Sequence, residues 1–239
     1  MFCRVPWSVF IWPVIVGICL LVAWYLAIWL FDIPEYQLPM PHIIVEAMFK
    51  ERELLLSGGA QTTIACMVGF FISVTGGLAL SLFLASSKWA FDGIYPYILI
   101  LKMTPIIVLA PIIILWAGQG LASITTITFL ICFFPIVANT TMGLRSVDQN
   151  HMDLFRVYKA TPKQTMFWLR LPGAMPYFMA GLKIAAALTP IGALYGDTVA
   201  GMGSGGEAGL GFVVMVFSAQ FKAVSYTHLR AHETPEHLV

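Results

Sequence analysis

Long uncharged stretches alternate with short polar segments along the chain. Residues 7–31 and 60–87 carry no charge. At about 1.5 Å per residue, each is long enough as a helix to cross a hydrocarbon core of about 30 Å. Three further apolar stretches cover residues 96–116, 122–142 and 175–199. The pattern predicts five membrane-spanning helices.

Polar segments and prolines mark the boundaries between these stretches. Residues 32–59 are polar, and a short helix on the membrane surface is expected from His42 to Leu56. Lys88 to Asp92 is expected to form a tight turn. Because proline lacks the amide N–H that a helix uses, Pro105 and Pro111 predict that the third span is kinked or partly unwound.

The longest polar segment covers residues 144–172, LRSVDQNHMDLFRVYKATPKQTMFWLRLP, and is called the docking loop below. Ser146 and Asp148 are residue types that cap helix N-termini, so a short helix is predicted after them. One face of that helix is expected to hold Met152, Phe155 and either Tyr158 or Lys159.

A second short helix is predicted inside the docking loop. Thr161 is a capping residue, Pro162 suits the first helical position, and Gln164 completes a capping box. The helix is expected to end at Leu171 and Pro172. Two capped helices favour a docking element for a protein partner, since a disordered loop would need no caps. An amphipathic segment lying on lipid headgroups is the alternative, and the basic balance of the loop allows it.

The docking loop resembles the cytoplasmic signature of permease subunits from binding-protein-dependent ABC importers. That signature has an acid followed by two small residues, then Gly-Ala-Ser, and it closes with Leu-Pro. Aligned back from residues 171–172, its acidic triplet falls on residues 153–155 and its glycine triplet on residues 159–161. The signature is matched by the acid at Asp153, by Ala160, by the hydroxyl residue Thr161 and by Leu-Pro at residues 171–172. It is not matched at residues 154–155, where the signature has two small residues, or at Lys159, where it has glycine.

Other parts of the chain are similar to the nitrate, sulfonate, taurine and bicarbonate branch of these importers. The matching phrases are LAPIIILWAG from Leu109, FFPIVANTTMGLRSVD from Phe133, LPGAMP from Leu171, GLKIA from Gly181, and GLG at residues 209–211. The resemblance covers about residues 38–222. It implies an all-α integral membrane protein with the type I ABC importer permease fold, which has six transmembrane helices.

Composition agrees with a membrane protein. Hydrophobic residues make up 59% of the chain and charged residues 10%, against about 25% charged in soluble domains. A net charge of +1 argues against nucleic acid as a partner. The four cysteines show no CxxC spacing and are interpreted as small buried hydrophobic residues rather than metal ligands or disulfides.

The end of the chain departs from the rest. Residues 1–224 are assigned to the permease domain, in which the apolar run from Phe212 begins an expected sixth helix that is truncated here. Residues 225–239, SYTHLRAHETPEHLV, are abruptly polar and are interpreted as a non-native read-through tail. No metal site is predicted from its three histidines, because nothing there fixes ligand geometry. They are His228, His232 and His237.

No cluster of nucleophile, base and orienting residue is present, so an enzyme is not predicted. The glycine-rich residues 201–211 lack the Gly-Lys-Ser/Thr ending of a phosphate loop, and ATP is expected on a partner subunit. Lys102, Lys183 and Asp197 are the charges near or within the spans. Such charges face a pathway or pair with one another. Both lysines lie near the expected cytoplasmic ends of their spans, where a lysine also reaches the interface. Asp197 lies near the outer end of its span, where lining the cavity mouth, contacting the external binding protein and simple solvation are the alternatives.

The resemblance implies a homodimer in the bacterial inner membrane that works with two cytoplasmic ATPase subunits and an external substrate-binding protein. Basic residues concentrate on one side of the alternating spans, which predicts that the N-terminus and docking loop are cytoplasmic. Phe155 and Tyr158 are predicted to contact the ATPase. The full predicted docking set is Asp153, Leu154, Phe155, Arg156, Tyr158, Lys159, Ala160 and Thr161. The predicted pathway set is Lys102, Pro105, Pro111 and Asp197.

Two other functions fit a multi-span protein. A secondary carrier driven by an ion gradient needs paired acids or unwound ion sites near the middle of the membrane. This sequence offers only Asp197, near one end of its span. A membrane enzyme is the third alternative. The transported substrate is not predicted.

Overall fold

Helices account for nearly all of the chain that the computed structural model describes, which is residues 8–34, 37–201 and 209–219. No strand is present among these residues, which confirms the all-α prediction. The helices are α1 (Ser8–Phe31), α2 (Pro41–Lys50), α3 (Arg52–Ser86), α4 (Lys88–Met103), α5 (Ile106–Ala117), α6 (Leu121–Arg145), α7 (Gln149–Val157), α8 (Pro162–Thr165), α9 (Leu171–Ala200) and α10 (Leu210–Ala219), with a π-helical turn over Met166–Arg170.

Four of these helices are long and apolar enough to cross a membrane, and the bent pair α4–α5 makes a fifth candidate span. Their positions agree with the five predicted spans. The apolar run from Phe212 also begins inside a short apolar helix, α10. The proposed tail at residues 225–239 lies outside the described residues.

The chain divides into two units, residues 1–55 with 217–239 and residues 56–216. In the first unit, the Tyr25 hydroxyl lies 3.0 Å from Nδ1 of His42, and the two rings stack. The predicted surface helix is shorter than expected. It ends at Lys50, and the residues from Arg52 onward already belong to α3, because an established helix adds turns more easily than a new one starts.

In the second unit, small residues on α3 allow close contact with α6. The buried positions of α3 recur every three or four residues, which places them on one face. They are Gly58, Thr62, Ala65, Gly69, Ser73, Gly77, Ser81, Leu84 and Ala85. The Ser73 hydroxyl donates to the carbonyl of Phe129 at 2.9 Å. Close packing and such hydrogen bonds hold helices together in lipid, where the hydrophobic effect does not.

Helix α9 packs along α6 in the same way. Its buried residues are mostly alanine and glycine. A side-chain carbon on Gly181, Gly192 or Gly196 would lie about 3.1–3.2 Å from α6 atoms. The three helices α3, α6 and α9 therefore form the packed centre of this unit.

The third span is broken rather than only kinked. Helices α4 and α5 meet at an angle of 100°, and Pro105 is the N-cap residue of α5. The break agrees with the prediction from Pro105, whereas Pro111 lies inside α5 and does not interrupt it. Gly118 and Gly120 have φ values of 78° and 101° between α5 and α6, a conformation that glycine tolerates best.

The predicted tight turn from Lys88 to Asp92 is wrong. The Ser87 hydroxyl accepts a hydrogen bond from the Ala90 amide at 3.4 Å and caps α4, which starts at Lys88 itself. Lys102 consequently lies fourteen residues along α4, about 21 Å from its start. It lies in the last turn of α4, next to the break between α4 and α5.

The second docking-loop helix also differs from prediction, because it does not stop at Pro172. Helix α8 passes through the π-helical turn directly into α9, and residues Pro162–Ala200 form one helical run. Pro172 is tolerated because it lies in the first turn of α9, where the hydrogen-bonding pattern has just changed from the π turn. The docking loop is thus continuous with a spanning helix.

Candidate docking surface and pathway

Helix α7 is fixed at its start by Asp148. The Asp148 carboxylate accepts a hydrogen bond from the Asn150 amide at 3.0 Å, as its N-cap position predicts. Ser146 has a different role. Its hydroxyl donates to the carbonyl of Gly143 at the end of α6.

The end of α7 is closed by a Schellman motif, in which two amides bond back across the last turn. The Lys159 amide donates to the backbone carbonyl of Arg156 at 2.9 Å, and the Ala160 amide donates to the backbone carbonyl of Phe155 at 3.0 Å. Lys159 has a φ of 49°, the left-handed conformation that glycine usually supplies. The backbone turn is therefore kept at the position where the importer signature has glycine.

The Thr161 capping box predicted from sequence is present. The Gln164 amide donates to the Thr161 hydroxyl at 3.3 Å, and the Thr161 amide donates to the Gln164 side chain at 2.8 Å. Both helices of the loop are therefore held by local hydrogen bonds, so the segment between them has a defined backbone.

Three apolar side chains project from this part of the docking loop. The exposed fractions of Leu154, Val157 and Tyr158 are 50%, 77% and 78%. Phe155 is only partly exposed. Val157 was missed in the sequence because it does not share the predicted face, although its apolar character was visible. These three residues are called the apolar patch below.

Charges surround the apolar patch. Arg156 forms an ion pair with Asp153 at 2.8 Å, and both side chains are mostly exposed. His151 lies 3.7 Å from Asp148. Behind α7, a cavity of about 430 Å³ separates it from α8 and the π turn, with Met152 and Phe167 among its lining residues. The loop thus combines an exposed apolar patch, a charged rim and a recess.

Two of the predicted pathway residues lie together at the α4–α5 break. Lys102 and Pro105 line a cavity of about 340 Å³ with apolar residues of α4, α5, α6 and α9. Lys102 is the charged residue of this lining, and its side chain is exposed. Pro111 and Asp197 are not part of it. The structure therefore brings together half of the predicted set.

Asp197 lies elsewhere, in a buried contact between three helices. Its side chain is 0% exposed, and its Oδ2 accepts a hydrogen bond of 2.6 Å from the Thr62 hydroxyl. The same hydroxyl accepts from the Leu210 amide at 3.0 Å. Oδ1 accepts no hydrogen bond from the described residues. This position does not fit the solvated alternative for Asp197, and its assignment to the pathway stays a prediction.

The start of α10 approaches Asp197 closely because glycine flanks Leu210. A side-chain carbon on Gly209 would overlap the Asp197 carboxylate, and one on Gly211 would overlap the Leu194 carbonyl. Thr62 was not singled out from the sequence, since 135 residues separate it from Asp197. Of the glycine-rich residues 201–211, residues 202–208 lie outside the described part of the chain.

Residues 77–222 match the family model described as "Binding-protein-dependent transport system inner membrane component". The match covers more than half of the chain and includes the docking loop. The chain belongs to this family of importer permeases.

Individual relatives of the permease carry several substrate names. This chain is 31% identical to the "Probable ABC transporter permease protein" of Haemophilus influenzae, over 87% of this chain and 82% of the relative. It is 32% identical to the "Formylaminopyrimidine transport permease protein ThiX" of Halalkalibacterium halodurans, again over 87% and 82%. A "Nitrate import permease protein NrtB" of Synechocystis is 29% identical over 62% of this chain and 52% of the relative.

These relationships establish the general function. The chain is a multi-pass membrane permease subunit of an ABC importer, and the ATPase resides on a separate subunit. The family also implies a binding-protein partner. The secondary-carrier alternative has no support among these relatives.

Proposed function

We propose that the apolar patch of the docking loop contacts the cytoplasmic ATPase of the importer. The observation that carries this proposal is the exposure of Leu154, Val157 and Tyr158 on a helix capped at both ends. Exposed apolar groups beside charged ones are typical of protein interfaces, and a rigid backbone lowers the entropy lost on binding. Phe155, Lys159, Ala160 and Thr161 support the same surface by shaping its turn.

Motion passes from this surface into the membrane through α8. Because α8, the π turn and α9 form one helical run, displacement of the docking loop moves a spanning helix directly. ATP binding closes the ATPase pair, which prefers one permease conformation and shifts the population towards it. Hydrolysis returns the permease to the other conformation, so the pathway opens alternately to each side.

The permease acts as a homodimer in the bacterial inner membrane, with the N-terminus and docking loop in the cytoplasm. Substrate passes between the two copies, and Lys102 and Pro105 line part of its route at the α4–α5 break. The relatives carry different substrate names on a shared chain architecture, which supports selection of the substrate by the external binding protein.

The test replaces Val157 and Tyr158 together with aspartate in the complete importer. Two charges in an apolar interface are expected to lower ATPase retention on the purified permease by at least about tenfold and to abolish uptake. Asn150→Asp is the control, because it adds an acid to an exposed polar position of the same helix. Normal ATPase retention in the double variant, with the permease correctly inserted, contradicts the proposal.

A further inference from the structure

A second cavity on the docking-loop side is lined by several cations. Its volume is about 350 Å³. Residues from the α3–α4 junction, the end of α6, α7 and the π turn line it, and none of its described lining residues is acidic. Its four basic side chains are Lys88, Arg145, Arg156 and Arg170.

The ends of the apolar helices place this cavity at the surface of the membrane. Helix α3 ends at Ser86, α4 starts at Lys88, and α6 ends at Arg145, and all three residues line the cavity. Trp89, next to Lys88, is 89% exposed. Tryptophan favours the interface between lipid tails and water. The cavity therefore lies at the depth of the lipid headgroups.

Most of its positive charge is free of carboxylate partners. Arg156 pairs with Asp153, but no ion pair involves Lys88, Arg145 or Arg170 among the described residues. Two of these side chains are nonetheless oriented. Arg170 donates to the Ala85 carbonyl at 2.9 Å, and the Arg145 guanidinium lies 3.6 Å from the Phe91 ring centre.

We propose that this cavity binds the phosphate of an anionic phospholipid headgroup. Arginine and lysine are the residues that phosphate oxygens prefer, and oriented guanidinium groups bind phosphate with defined geometry. The phosphate belongs to a lipid headgroup, because the cavity lies at the ends of the spans and beside an interfacial tryptophan. Anionic lipids gather around basic residues at that depth.

The bound lipid has a structural consequence for the docking loop. Met152 and Arg156 of α7 line the cavity together with Lys88 and Arg145 from the ends of the spans. A phosphate held between them links α7 to the membrane helices. Lipid occupancy therefore stabilises the position of the docking loop, and this holds whether or not the loop contacts an ATPase.

The test measures lipid binding to the purified full-length chain in detergent by native mass spectrometry. Phosphatidylglycerol and phosphatidylcholine with identical acyl chains are compared. The unmodified chain is expected to bind phosphatidylglycerol preferentially. Lys88→Gln is expected to reduce this preference about fivefold, and adding Arg145→Gln to reduce it further.

Lys163→Gln is the matched control, because it removes one exposed charge from α8 without touching this cavity. Lys88→Arg keeps the charge and is expected to keep the preference, which separates charge loss from misfolding. Equal binding of both lipids, or an unchanged preference in folded Lys88→Gln, overturns the proposal. Displacement of the lipid by millimolar inorganic phosphate shows that the cavity binds free phosphate rather than a lipid headgroup, and overturns the proposal.

Discussion

Lys159 shows how a residue outside the family pattern adopts the family's backbone conformation. Its φ of 49° is a left-handed backbone conformation that glycine adopts most easily. For an L-residue with a side chain, this conformation costs about 1–2 kcal/mol. The Schellman bonds of Lys159 and Ala160 offset this cost. Lysine in place of the signature's glycine therefore adds strain to the turn but leaves its backbone shape unchanged.

Replacing Lys159 with glycine is expected to remove that strain. Hydrogen exchange at the amides of Lys159 and Ala160 should slow by about fivefold, since about 1 kcal/mol is gained locally. Lys163→Gly makes the same chemical change in the first turn of α8 and should speed local exchange, because glycine favours the helix less than lysine does. Faster exchange in Lys159→Gly than in the unmodified chain contradicts this account.

Thr62 shows how one hydroxyl connects remote parts of the chain. It donates to Asp197 and accepts from the Leu210 amide. A buried carboxylate or amide that loses its partner costs about 1–3 kcal/mol. The contact therefore holds the start of α10 against α3 and α9.

Thr62→Val keeps the shape of the side chain and removes its hydroxyl. It is expected to lower the free energy of unfolding by about 1–3 kcal/mol, measured as a lower Tm in detergent. Among the described residues, the side chain of the neighbouring Thr63 bonds only to the Gly59 carbonyl of its own helix, at 2.7 Å. Thr63→Val should leave Tm nearly unchanged, and equal Tm losses in the two variants are inconsistent with this role.

At the scale of helices, close packing of α3 against α6 depends on individual glycines. A side-chain carbon on Gly77 would lie 2.9 Å from Ile136, whereas one on Gly76 would reach Phe133 only at 3.8 Å. The two residues are adjacent but face different surroundings. Their comparison separates helix packing from the intrinsic effect of alanine on a helix.

Gly77→Ala is expected to push α3 away from α6 and to destabilise the protein by about 1–3 kcal/mol. Gly76→Ala should be neutral or slightly stabilising, because alanine favours helix without a new overlap. Thermal unfolding of both variants in the same detergent measures the difference. A Tm for Gly77→Ala at or above that of Gly76→Ala contradicts the packing contact.

At the scale of the whole molecule, charge is distributed unequally between the ends of the spans. Helix α3 has 35 residues, about 52 Å, so both ends extend beyond a hydrocarbon core of about 30 Å. Arg52 lies at its start, whereas Lys88 and the basic residues of the docking loop follow its end. This asymmetry supports a cytoplasmic docking loop.

Single cysteines in a cysteine-free background test this orientation. Lys159→Cys is expected to react with a membrane-impermeant maleimide only in inverted vesicles, and Arg52→Cys only in intact spheroplasts. Both side chains are exposed, so accessibility does not limit either reaction. Labelling of Lys159→Cys in intact spheroplasts shows that the loop lies outside the cell.

The sequence alone determined the features that depend on neighbouring residues. Apolar length predicted the spans, and the caps at Asp148 and Thr161 predicted the starts of both docking-loop helices, because caps are local hydrogen bonds. The continuation of α8 into α9 was missed, since Pro172 is an ordinary helix-breaking signal. Only the π turn before it made the proline compatible with the helix.

Tertiary structure decided every feature that joins distant segments. It buried Asp197 against Thr62, left Val157 and Tyr158 more exposed than Phe155, and gathered Lys88, Arg145 and Arg170 around one cavity. Hydrophobicity and capping act over a few residues, whereas these contacts depend on how α3, α6 and α9 pack. The membrane class was therefore readable from the chain, and the surroundings of its charged residues were not.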